Sequence, residues 1–126
     1  MRLALALTAA CLAMLFVGGV NASPGRPFVG TWWAIDPSDG SLEQATFGAG
    51  GSMFYRDDLA TSCGGPPAIA KDTGSVSGNV WTGTGNSTVY CVGIGPHVTE
   101  FFEFTLNPDG TLSSSVGDEV WTRSRP

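Results

Sequence analysis

Histidine occurs once in these 126 residues, as His97, and lysine and arginine together occur only six times. A Ser or Cys triad needs an imidazole base beside its nucleophile. His97 instead follows Pro96 in a turn segment, Gly93-Ile94-Gly95-Pro96-His97, and no G-x-S-x-G elbow is present. A phosphate cradle fails too, because Gly48-Ala49-Gly50-Gly51 is followed by neither Lys-Ser/Thr nor a helical pattern. Nor do the eleven acids single out a pair suited to glycosidic chemistry. The chain therefore reads as non-enzymatic, with no cofactor and no metal. Beyond residue 22 five bases remain, Arg26, Arg56, Lys71, Arg123 and Arg125, against all eleven acids, a net charge of −6. Affinity for nucleic acid comes largely from neutralising phosphates with Lys and Arg, so nucleic acid is excluded as a partner, and an anionic membrane surface with it. The same charge favours a soluble monomer.

Long apolar runs are also scarce. The only one, residues 3–17, is broken once by Thr8, preceded by Met1-Arg2 and followed by Val20-Asn21-Ala22, which places small residues at −3 and −1 of a signal-peptidase site. It is shorter than the roughly 20 residues a membrane helix needs. Residues 1–22 are expected to be a cleaved signal peptide and 23–126 one domain, large enough for a single modest core. The destination is secreted or extracellular, periplasmic in a Gram-negative host. Cys11 belongs to the leader, and Thr8 stands where a lipobox requires a branched apolar residue, so no lipid anchor is expected. Two cysteines remain, Cys63 and Cys91, without C-x-x-C spacing. In an exported chain such a pair reads as a disulfide.

What is plentiful is glycine, 18 residues, and with proline it punctuates the chain every eight to twelve positions. Between these breaks lie short runs of Val, Thr, Trp, Tyr and Phe, the pattern of an all-β sandwich or barrel. Strands are expected at 28–35, 42–47, 52–57, 68–76, 80–84, 88–92, 98–107, 111–115 and 119–123. Turns fall at Asp36-Pro37-Ser38-Asp39-Gly40, Gly48-Ala49-Gly50-Gly51, Ser77-Gly78-Asn79, Gly85-Asn86-Ser87 and Asn107-Pro108-Asp109-Gly110. The turn at Asn86 also carries a glycosylation sequon, Asn86-Ser87-Thr88, relevant in a eukaryotic host. From Val98 onward Val98, Glu100, Phe102, Phe104 and Leu106 share one face, expected to point inward. Glu100 then either meets water at a barrel end or serves as a carboxylate inside a pocket. With no internal repeat, one antiparallel up-and-down sheet closing on itself is the economical architecture. Eight strands close antiparallel and nine do not, so one segment is a loop or a bent continuation, 68–76 being the weakest and the final hairpin at Val116-Gly117-Asp118 next.

Gly30-Thr31-Trp32 at the first strand and Trp121-Thr122-Arg123 at the last resemble the calycins, the lipocalin and avidin-type barrels. That resemblance implies a plug at one end, with Gly30 allowing close backbone approach and Arg123 covering Trp32. Over residues 28–123 the chain also resembles small exported bacterial calycin-like barrels of unestablished function. The segments that carry this are Ile35-Asp36-Pro37-Ser38-Asp39-Gly40-Ser41, Arg56-Asp57-Asp58, Cys63-Gly64-Gly65-Pro66-Pro67-Ala68, Cys91 and the closing Gly117-x-x-x-Trp121-x-Arg123.

An eight-stranded barrel is wide enough to be filled by its own side chains or to hold one small ligand. Phe54, Trp81, Tyr90, Phe102 and Phe104 are the candidates to line it. If hairpins alternate ends, Asp36, Asp39, Asp57 and Asp58 share the rim opposite the plug. Such a rim offers oxygen ligands to Ca²⁺, but the spacing lacks an EF-hand's pattern and closing Glu. Asp residues at turns more simply cap backbone N–H groups. The expected function is a secreted binding protein carrying a small hydrophobic molecule in its interior. The alternative is a closed, filled barrel whose loops, including the tethered loop at 58–67, bind or inhibit an extracellular macromolecule.

Overall fold

Residues 25–126 are described by a computed structural model, so the leader expected at 1–22, with Cys11, lies outside the described residues. Turn chemistry sets the topology. The short runs of β-branched and aromatic residues form β1 (Gly30–Ile35), β2 (Leu42–Phe47), β3 (Ser52–Asp57), β4 (Ala68–Ser77), β5 (Val80–Cys91), β6 (Gly95–Leu106) and β7 (Leu112–Ser114). Each strand pairs antiparallel with the next in one seven-stranded sheet, β1 through β7 in order. The sole helical element among the described residues is a 3-10 turn, Thr61–Cys63.

The sheet curls into a half-barrel, and its two edges are joined by residues 121–122. Trp33 and Thr122 exchange backbone hydrogen bonds of 2.8 Å, and Leu112 and Trp121 exchange a pair of 3.0 Å. This two-residue segment runs antiparallel to both β7 and β1, which is the order an eight-stranded up-and-down barrel requires. The strand expected at 119–123 is thus reduced to these bridges. The segment at 68–76, judged the weakest from sequence, forms a full strand.

The strands expected at 80–84 and 88–92 are one strand, and Gly85-Asn86-Ser87 does not reverse the chain. Between the pairs Thr82–Glu103 and Asn86–Phe101 the chain advances four residues on β5 against two on β6, so two residues bulge outward. Against β4 the excess again lies on β5, which takes six residues from Gly83 to Val89 where β4 takes four from Ala70 to Gly74. Gly85-Asn86-Ser87, expected as a turn, is instead a bulge within one strand.

Alternation along the strands fills the interior. Phe47 lies 5.3 Å from Trp81 and 5.1 Å from Phe104, and Phe104 lies 5.6 Å from Trp121, all edge-on. Tyr55 continues this column towards Phe102, with ring centres 5.4 Å apart. Edge-to-face pairs of this kind each add about 0.5 to 1.5 kcal/mol beyond area burial. Gly74 is required by this packing, because a Cβ there would stand 2.5 Å from the Trp81 ring.

Candidate functional site

One end of the barrel is sealed. Trp32 is 2% exposed, and its indole N–H donates to the Phe28 carbonyl at 2.8 Å. The Arg123 guanidinium lies 3.9 Å from the centre of the Trp32 ring and donates to the Val29 and Pro27 carbonyls, both at 2.7 Å. A cation over an indole contributes on the order of 1 kcal/mol. Gly30 has φ of 113° and passes so close that a Cβ would lie 2.6 Å from Arg123 Nη1. Gly30, Trp32 and Arg123 therefore form one unit around the entry of β1.

The opposite end is acidic and only partly covered. The β1–β2 turn, the loop at 58–67, the β5–β6 turn and the segment before Trp121 all lie there by topology. Glu43 and Asp57 point inward from neighbouring strands, and both are buried, as is Glu119. One carboxylate oxygen each from Asp36, Glu43 and Glu119 falls within 4.8 Å of the others. The buried Tyr55 hydroxyl donates to Glu43 Oε1. Burial raises the Glu43 carboxyl to about 8, opposed by the Tyr55 hydrogen bond and reinforced by the charges of Glu119, Asp57 and Asp36. Desolvation likewise lifts Asp57 and Glu119. The only ion pair among the described residues, Arg56 with Asp58, lies on the exposed side and does not compensate this cluster.

Of the four rim acids expected from sequence, Asp36 and Asp57 enter this inner group. Asp39 instead accepts the Ser41 N–H at 2.9 Å, which lowers its carboxyl, and Asp58 is exposed beside Arg56. Glu43, Glu119 and Tyr55 escaped the sequence reading. The signal for Glu43 was available: in Leu42-Glu43-Gln44-Ala45-Thr46-Phe47 it shares the parity of the buried Ala45 and Phe47. Glu119 carries a similar signal, since it shares the parity of the buried Trp121 in the strand expected at 119–123, although it lies outside any strand of the fold.

Above the aromatic column is a cup of about 100 Å³ lined by Tyr55, Asp57, Ser62, Ala68, Val89, Val98, Glu100, Phe102 and Val116. Glu100 is exposed on its rim, at the barrel end. Among the expected lining residues Phe102 borders the cup, while Trp81 and Phe104 are packed into the column. Phe54 and Tyr90 are corrected: both stand on the outer face. Phe54 alternates with the buried Met53 and Tyr55, and Tyr90, 47% exposed, alternates with the buried Val89 and Cys91. Tyr90 borders an outer groove of about 430 Å³ with Ile69, Ala70, Lys71 and Thr88.

The Cys63–Cys91 disulfide, with Cα atoms 5.5 Å apart, ties the loop at 58–67 to the end of β5. Beside it the surface turns apolar. Among the described residues eight large hydrophobics are exposed, and five of them, Tyr90, Val92, Ile94, Val98 and Phe101, belong to the β5–β6 hairpin. Ile35, Leu59 and Val120 continue the rim at the same end. No family model, curated protein or solved structure matches this chain.

Proposed function

We propose that the chain is an exported, non-enzymatic binding protein whose calycin-like barrel is filled by its own side chains and engages an extracellular protein through the β5–β6 hairpin at the mouth. The observation that carries this reading is the concentration of exposed apolar side chains on the β5–β6 hairpin, with Val98 on the side of the cup and Tyr90 and Phe101 on the outer face. Exposed apolar surface gathered in one region of a folded protein marks an interaction site, as singly scattered residues do not. Ile94 at the hairpin tip is 67% exposed, beside Val92 at 44%. The disulfide and the long β5–β6 pairing hold this patch rigid, which limits the entropy lost on binding. The outer groove beside Tyr90 extends the same surface.

The interior-carrier reading is supported less well. Small-molecule pockets usually span about 300 to 1,000 Å³, and the cup above the aromatic column is about 100 Å³. The calycin resemblance rests on Gly30, Trp32 and Arg123 at the plugged end, a structural assembly that leaves the mouth free to bind.

Photo-crosslinking tests the proposal. A photoreactive phenylalanine analogue placed at Ile94, and as a control at Asn79 in the turn of the plugged end, is activated in the medium of the native host. A discrete protein adduct through position 94 and none through 79 is expected. Equal labelling at both positions, or none at 94, overturns the hairpin as the binding surface.

A further inference from the structure

We infer that Asp36, Glu43 and Glu119 form a binding site for a divalent cation of Ca²⁺ type at the mouth, beside the seam where the barrel closes. Two oxygens bound to one Ca²⁺ at about 2.4 Å lie no more than about 4.8 Å apart, and the three carboxylates meet that limit pairwise. An independent feature points the same way. Glu43 is only 3% exposed, its Oε1 is taken by Tyr55, and its Oε2 is buried with no hydrogen-bond partner.

A buried carboxylate oxygen without donor or counter-charge is costly, and a cation removes that cost. The donor set is all oxygen, which selects a hard cation over zinc or copper. Asp36 is half-buried, so water from the mouth can complete the six to eight ligands that Ca²⁺ takes. The arrangement also has a structural consequence. Asp36 follows β1, Glu43 lies on β2, and Glu119 immediately precedes the bridging residues 121–122. A cation held among them ties both sides of the seam. The inference stands apart from the protein-binding reading, since it concerns the inward carboxylates and not the apolar hairpin.

Terbium luminescence tests it on the chelator-treated chain. Tyr55, bonded to Glu43, and Trp121, with rings 6.3 Å apart, are placed to sensitise a bound Tb³⁺. One Tb³⁺ per chain is expected, displaced by Ca²⁺, and Ca²⁺ alone raises Tm. Glu43→Gln and Asp36→Asn each weaken binding by at least about tenfold, as expected when a charged ligand is lost. Asp58→Asn, on the exposed acid beside Arg56, leaves it unchanged. Asp36 lies on a half-buried turn, so its variant decides the matter even where Glu43→Gln fails to fold. Absence of Ca²⁺-displaceable emission, or wild-type affinity in Asp36→Asn, overturns the site.

Discussion

At the scale of single residues, the plugged end concentrates the clearest energetic consequences. Trp32 is buried against Phe28 and covered by Arg123, so Trp32→Ala is expected to cost about 3 to 5 kcal/mol in urea unfolding, as large core truncations do. A loss below about 1 kcal/mol would mean that the indole is not part of the core. Gly30→Ala combines a φ of 113° with collision against Arg123 and should cost about 1 to 3 kcal/mol by the same measurement. At the other end, Tyr55→Phe strips the one donor from buried Glu43 and is expected to destabilise by about 1 to 3 kcal/mol. Equal stability of this variant and the parent would show that the hydrogen bond contributes nothing. These two ends differed in legibility. Gly30, Trp32 and Arg123 were readable because they sit in short motifs at strand positions. Glu43 was hidden by the habit of placing carboxylates in solvent, although its parity already placed it inside, and Glu119 became part of the group only through the closure of the sheet.

At the scale of elements, the tethered loop and the β5–β6 hairpin depend on each other. The disulfide closes 28 residues, which the chain-entropy model values at roughly 3 to 4 kcal/mol. Replacing Cys63 and Cys91 by Ser should therefore lower Tm by at least about 10 °C in a domain of this size while the circular dichroism of the sheet persists. An unchanged Tm would remove the bridge from the stability of the mouth. Strand positions were largely readable from turn chemistry and period-two alternation, as β1, β2 and β3 illustrate. The failure at β5 has a local cause: Gly85-Asn86 favours a reversal, but Val89 to Cys91 on one side and Trp81 on the other still pair with the same neighbours, so tertiary pairing converts a turn signal into a bulge. Treating 80–84 and 88–92 as separate strands loses the face of Tyr90; in the continuous β5 the bulge adds two residues, so Trp81, Val89 and Cys91 stay inward and Tyr90 faces outward.

At the scale of the whole molecule, closure rests on a short seam and the interior is occupied by aromatic side chains. Thr122→Pro removes the N–H that Thr122 donates to Trp33, and amide exchange of Trp33, whose own N–H is held by Thr122, is expected to accelerate along with a loss of about 3 kcal/mol. Unaltered protection at Trp33 would mean that the edges are joined by other contacts. The strand expected at 119–123 covers this seam but overstates its length, because only residues 121–122 bridge the two distant edges. The proposed function places binding outside this filled interior, at the hairpin around Ile94. The most direct measurement is a native mass spectrum of the protein taken from its host medium, compared with an Ile94→Asp variant. The expected result is a complex with a second polypeptide that is lost in the variant, and no small-molecule mass on the chain. A small-molecule adduct that disappears on denaturation and survives Ile94→Asp would contradict it, and would return the interior to the centre of the function.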